Sequence, residues 1–250
     1  MTDKHRKVAL VTGSATGIGR ACALRFAANG FDVVVNYSRS ETEARETLQL
    51  VEACQVRGLL VQCDVGSDAA VRDMMTKVDS AFGRLDVLVN NAGTTWFIDH
   101  KHLEELTEEK WDRILQVNLK GPFFCIRAAT PLLRRSGGGA VVSVSSVAGL
   151  SGEGSSIAYA ASKGALNTMT KSLARALAPE IRVNAVCPGP VDTRWMRAVM
   201  TAEDLAKRTA SYPLQRPALP EDIADAVYFL ATGTTLATGQ CLVVDGGRTM

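Results

Sequence analysis

The sequence predicts an α/β fold in which a parallel sheet is covered by helices on both faces, and three observations carry that prediction. Short valine-rich apolar runs recur along the whole chain, helix-length stretches separate them, and the residues just past the runs are polar or glycine. The composition permits a full core: 250 residues, 46% hydrophobic and 22% charged, with 21 Gly against 8 Pro, show no disordered or collagen-like bias. Lys+Arg 28 against Asp+Glu 26 leaves only +2, so nothing suggests a nucleic-acid surface. The six cysteines lie far apart with no C-x-x-C, and the three histidines cannot complete a zinc site, so neither a metal nor a disulfide framework is expected. No apolar run reaches the roughly eighteen residues of a membrane span, and the start of the chain has no leader pattern; a cytoplasmic protein is expected.

In chain order, the strand signals fall at Val8–Val11, 32–36, 59–63, 85–89, 140–144, 183–186 and Cys241–Val244, each flanked by Gly, Asn, Asp, Pro or Ser. Helices are expected near 17–29, 40–56, 67–82, 108–135, 157–178 and 221–231. Two stretches break the rhythm: 94–107 after the fourth strand and 190–220 after the sixth. The second is long for a βα connection, and residues 190–216, with Trp195, Met196 and Met200 amid polar residues, are expected to form a substrate lid. No linker interrupts the alternation, so 1–250 reads as one domain.

Ligands of such sheets bind beyond the carboxyl ends of the strands. After the first strand comes Thr12-Gly13-Ser14-Ala15-Thr16-Gly17-Ile18-Gly19, after the third Asp64-Val65, after the fourth Asn90-Asn91-Ala92-Gly93, after the fifth Ser145-Ser146, and after the sixth Pro188-Gly189. The glycine turn opens a helix whose N-terminus can hold a pyrophosphate, although its G-x-x-x-G-x-G spacing alone also fits an ordinary strand-to-helix turn. Tyr159 and Lys163 stand at i and i+4 on a helix whose apolar positions Ala158, Ala161, Ala165, Met169, Leu173 and Leu177 suggest the buried stripe. The lysine charge is expected to lower the phenol's pKa toward the range useful for proton transfer, although Y-x-x-x-K alone also fits a solvated helix face. His100 and His102 form an H-x-H without a third ligand, which reads as a solvated loop.

Taken together these pieces resemble the short-chain dehydrogenase/reductase family over essentially the whole chain. Thr12 to Gly19 looks like its T-G-x-x-x-G-x-G turn, Asn90 to Gly93 like its N-N-A-G, and Tyr159 to Lys163 like its Y-x-x-x-K, with Ser146 thirteen residues earlier. Asn118 matches its fourth catalytic position, and Pro188-Gly189 with Val191 and Thr193 its nicotinamide-contacting segment. The resemblance implies roles: Tyr159 as general acid or base, Lys163 holding the nicotinamide ribose, Ser146 binding the substrate oxygen, and Asn118 supporting a water relay behind Lys163. It further implies that Asp64 and Val65 touch the adenine, that Asn90, Ala92 and Gly93 line the cofactor cleft, and that the protein is a homotetramer.

At the end of the second strand, Val35-Asn36-Tyr37-Ser38-Arg39 carries no acid to accept from a ribose 2′-hydroxyl. Arg39 offers a planar fork for a 2′-phosphate, Ser38 and Ser14 offer hydroxyls, and Tyr37 lies beside them, so NADP is the expected cofactor. Thr16 departs from the Arg or Lys that many NADP-using relatives place before the second glycine, which keeps NAD as the alternative. The combined expectation is a single doubly wound Rossmann domain, seven parallel strands in the order 3-2-1-4-5-6-7, transferring hydride between NADP(H) and a small-molecule carbonyl or secondary alcohol. A 3-oxoacyl thioester is one substrate candidate. A sugar, polyol or small alcohol is another, since Pro179-Glu180 stands where carrier-protein reductases tend to have a basic residue. A non-catalytic nucleotide-binding regulator is the reading from outside enzymology.

Overall fold

The structure is a computed structural model and describes residues 6–250. Seven parallel strands form one sheet in the order β3-β2-β1-β4-β5-β6-β7, as the sequence predicts. They are β1 (Val8–Val11), β2 (Asp32–Tyr37), β3 (Gly58–Gln62), β4 (Val87–Asn90), β5 (Gly139–Val144), β6 (Ile181–Pro188) and β7 (Cys241–Val244). The middle strands are buried on both faces: every residue of β1, β2 and β4 is buried.

On one face pack α1 (Gly17–Ala28), α2 (Glu41–Ala53) and α10 (Pro220–Tyr228). Phe26 is fully buried there, its ring centroid 5.2 Å from that of Phe31 and 5.3 Å from that of Tyr228, so Phe26→Ala would cost about 3–5 kcal/mol. On the other face pack α3 (Asp68–Phe82), α5 (Gly121–Arg135) and α7 (Ile157–Leu177). Each face therefore has its own apolar layer, and the sheet between them is held in place from both sides.

The helix expected over 108–135 is not continuous. It runs as α4 (Glu108–Leu115), a π-helical turn over Gln116–Lys120, and α5. The extra residue of a π turn shifts the helix face, here at Asn118. A one-turn helix, α6 (Ala148–Ser151), follows β5, and the long connection after β6 holds α8 (Arg194–Arg197) and α9 (Ala202–Thr209).

The stripe expected on α7 is also displaced. Ala158 is buried, but Ala161 is exposed, and the buried face runs through Ser162, Lys163, Leu166, Asn167, Thr170 and Ala174. Small polar side chains occupy it because local partners satisfy them: Ser162 donates to the Tyr159 carbonyl at 2.7 Å and Thr170 to the Leu166 carbonyl at 2.9 Å. Lys163 consequently points inward from the sheet-facing side of α7, only 4% exposed. Between β1 and β4 the winding reverses, and beyond their carboxyl ends the covering helices diverge into an open cleft.

Candidate active site

The cleft, of about 1800 Å³, is long enough to take the residues after β1, β2, β4, β5 and β6 into one wall. Two loops and the end of β2 are tied together at its floor. Asn91 donates from Nδ2 to the Thr12 and Gly13 carbonyls at 2.9 and 3.0 Å, Thr12 Oγ1 accepts from the Asn91 and Ala92 amides, and Asn36 Oδ1 accepts from the Gly13 amide at 3.0 Å. Asn36 lines the cleft and was passed over in the sequence, although a single Asn after a run of valines was the available signal; Asn91 was named only as part of the N-N-A-G run, with no role of its own.

This floor fits a dinucleotide pyrophosphate. A Cβ at Gly19 would lie 2.3 Å from the Gly13 carbonyl oxygen, and Gly13 takes φ +62°, so side chains are excluded where a phosphate must meet backbone. The α1 N-terminus has neither a side-chain cap nor an acid in its first turn, which leaves its amides and positive dipole end facing the cleft. Thr16, Gly17 and Ile18 line it, and Thr193 passes over the turn, within 3.4 Å of where a Cβ on Gly17 would stand.

Farther along the wall, Ser146, Tyr159 and Lys163 face the cleft together with Pro188, Gly189 and Val191. The Lys163 Nζ donates to the Val144 carbonyl at 2.8 Å and lies 5.6 Å from the Tyr159 ring centroid. Burial pushes its pKa down to about 8. The Tyr159 phenol departs from expectation: burial pushes it up to about 12, and the Ser146 hydroxyl offsets that only in part. Lysine proximity does not lower it because the ammonium is directed to a carbonyl instead of the phenol oxygen. In this form of the protein Tyr159 is a neutral proton donor at pH 7.

Four expected site residues lie behind the wall instead of on it. Ser14 is fully buried; its hydroxyl donates to the Val11 carbonyl at 2.8 Å and accepts from the Asn36 amide, so it has no donor left for a phosphate. Tyr37 packs into the apolar layer under α1 and α2, since alternation along β2 turns it to the same side as Val33 and Val35. Asn90 is 3% exposed and neither of its amide atoms has a hydrogen-bond partner. Asn118 is fully buried: Oδ1 accepts from the Thr94 amide at 2.8 Å, while Nδ2 donates to the Thr94 carbonyl at 2.9 Å and to Ser162 Oγ at 3.1 Å. It clamps the loop after β4 to α7, which makes it a positioning residue.

Ser38 and Arg39 are exposed on the cleft, which Asp64, Val65, Ala92 and Gly93 also line. Asp64 is already held, accepting from the Gly66 amide and pairing with Arg113 at 2.9 Å. Trp195 stands edge-on to Tyr159, centroids 6.1 Å apart at 82°, and Met196, Val199 and Met200 extend an apolar wall.

The segment carrying Trp195 is pinched at its neck, where Asp192 donates to the Ala218 carbonyl at 2.8 Å and Ala218 to that of Pro190 at 3.1 Å. From inside the pinch, Arg194 reaches across the cleft mouth to pair with Glu43 of α2 and lies 3.3 Å from Ser40 Oγ. His102 of the H-x-H pairs with Glu105 at 3.3 Å, and among the described residues no cluster of three or more ligating side chains could hold a metal. Among the described residues no helix is long and apolar enough to cross a membrane.

Comparison with known proteins gives consistent matches. A family profile described as enoyl-(acyl carrier protein) reductase matches residues 13–249. A protein of Streptomyces violaceoruber assigned as ketoacyl reductase 2 of the granaticin polyketide synthase is 44% identical over 241 residues, covering 96% of this chain and 95% of the relative. The 3-oxoacyl-[acyl-carrier-protein] reductase FabG of Staphylococcus aureus is 40% identical over 249 residues, 99% of this chain and 100% of the relative. A crystal structure from Burkholderia xenovorans, assigned as a short-chain dehydrogenase/reductase, superposes with a TM-score of 0.92 at 42% identity, covering 97% and 98% of the two chains.

Proposed function

Because the chain belongs to the short-chain dehydrogenase/reductase family and is an NAD(P)-dependent oxidoreductase of carbonyl and alcohol groups, we propose that it works with NADP(H), with Tyr159 moving the proton. The observation that carries this reading is the shared wall on which Ser146, Tyr159 and Lys163 follow the uncapped, glycine-floored turn of α1.

The residues divide the work along the cleft. With a nucleotide bound, the α1 amides and the turn at Gly13 to Gly19 would hold the pyrophosphate, Arg39 and Ser38 the 2′-phosphate, and Lys163 the ribose beside Tyr159. A bound nicotinamide supplies or accepts the hydride. Ser146 donates to the carbonyl oxygen, and Tyr159, neutral at pH 7, delivers its proton to that oxygen as charge develops there. In the reverse direction the phenolate must form, and a charged Lys163, one helical turn away, would favour it. Trp195 and its apolar neighbours exclude water from the reacting atoms.

A 3-oxoacyl compound is the substrate class supported by the relatives named 3-oxoacyl reductases and by the apolar wall. Sugars, polyols and small alcohols are the second class; Pro179-Glu180 just after α7, where a basic residue is missing, weighs against docking of a carrier-borne acyl chain. Cofactor oxidation and reduction measured against a panel of 3-oxoacyl thioesters, oxo acids, sugars and ketones tests the reading. Turnover with NADPH and at least one carbonyl is expected. Nucleotide binding without turnover of any panel member would instead favour a regulator. A homotetramer belongs to the same proposal: Leu242 and Val243 on the edge strand β7 remain 37% and 38% exposed, and Phe123 on α5 37%.

A further inference from the structure

The chain's last turn is built as a hook. The Asp245 carboxylate, 9% exposed, accepts from the Gly247 amide at 2.9 Å, the Thr249 amide at 2.9 Å and the Thr249 hydroxyl at 2.7 Å. Positive φ at Gly246 (+68°) and Gly247 (+86°) bends the backbone between them. The hook is wedged against the cofactor segment and the lid: a Cβ on Gly189 would meet Asp245 Cβ at 2.8 Å, and Leu214 donates to the Gly246 carbonyl at 3.1 Å.

What the hook projects into the cleft is Arg248. The Arg248 side chain is only 19% exposed and its guanidinium meets Glu153 at 2.5 Å, whereas the Glu153 side chain is 71% exposed. Gly154, next in sequence, packs against Tyr159, with 3.5 Å between its ideal Cβ and Tyr159 Cδ1. The pair therefore lies at the substrate end, near the reacting phenol. Arg208, on the lid, lines the same cleft. A largely covered arginine side chain, carried on a hydrogen-bonded turn and paired with a carboxylate that is mostly in solvent, is a site that an incoming carboxylate can take over by two-pronged hydrogen bonding.

Building on the proposed carbonyl chemistry, we propose that Arg248 recognises a carboxylate on the substrate, borne by the same chain as the reacting carbonyl, and that Glu153 occupies this position until the substrate arrives. The favoured substrate is thus an oxo acid or hydroxy acid with its acid group free, in preference to a neutral ester or a thioester.

The test pairs 3-oxobutanoate, 4-oxopentanoate and 5-oxohexanoate each with its methyl ester. Loss of a charged hydrogen bond predicts that the acid-to-ester ratio of kcat/KM for the best acid falls about 10- to 100-fold in Arg248→Met and is largely kept in Arg248→Lys. Glu153→Gln removes the internal competitor and is expected to lower KM for that acid. Titration of the same acids into the NADP complex, followed by intrinsic tryptophan fluorescence, gives a readout independent of turnover. Esters reduced as well as their acids, or acid binding equal in wild type and Arg248→Met, would overturn the proposal while leaving the oxidoreductase reading intact. Acid binding that depends on Arg248, with no turnover of any carbonyl, would overturn the proposed chemistry and not the carboxylate site.

Discussion

Lys163 lies one helical turn from Tyr159, yet its ammonium hydrogen-bonds the Val144 carbonyl at 2.8 Å and meets the tyrosine only over the ring, 5.6 Å from its centroid. The lysine is therefore poised to titrate in the free protein, at a pKa lowered to about 8 by burial. Ribose oxygens accepting from the Lys163 ammonium would favour its charged form and raise that pKa, so binding would take up a proton. Below about pH 8 this group leaves the affinity flat; as pH rises above 8 the free lysine is neutral and the affinity falls. Fluorescence titration of the nucleotide between pH 6 and 10 is expected to show that decline, and Lys163→Met to abolish it. A pH-independent Kd in the wild type contradicts the prediction.

Arg39, exposed and lining the cleft just past β2, is the expected 2′-phosphate clamp. Losing a charged hydrogen bond should raise KM for NADPH about tenfold or more in Arg39→Ala, with NADH nearly unchanged. An equal effect on both nucleotides would reduce Arg39 to a solvated loop charge.

The lid expected over 190–216 is pinched at its neck and fastened across the cleft by Arg194 and Glu43. Hydrogen exchange with and without cofactor is expected to show added protection within this segment. Identical rates in both states would argue for a fixed wall.

The exposed Leu242 and Val243 on an edge strand predict association. Light scattering at micromolar concentration is expected to return a tetramer, and Val243→Lys to weaken it. A wild-type monomer contradicts the assembly.

The strands and the glycine turn were legible because they depend on local chemistry: VALV in β1 has no polar residue to turn outward, and a side chain at Gly19 would collide with the Gly13 carbonyl. The i, i+4 spacing likewise brought Tyr159 and Lys163 together. It carried no information on where Nζ would find an acceptor or on burial, and so the direction of the phenol's pKa was misjudged. Tyr37 was misplaced because β2 is buried on both faces, and a strand without polar alternation does not reveal which way each side chain points. Ser14, in the turn after β1, was misplaced because its hydroxyl turns back to the Val11 carbonyl and the Asn36 amide, contacts that the motif spacing does not reveal. Asn118 sits on a π turn, an insertion without any periodic signature. Arg248 and Glu153 are 95 residues apart and meet only through the bent hook at Gly246 and Gly247.

The proton-transfer role of Tyr159 is tested most directly by Tyr159→Phe, which removes one oxygen from a half-buried ring and leaves its contact with Trp195. Steady-state carbonyl reduction and nucleotide fluorescence are measured on the same preparation. The expected result is an unchanged nucleotide Kd with turnover lowered by about 10²–10⁴-fold, the contribution of a general acid. Turnover close to that of the wild type would contradict the assignment.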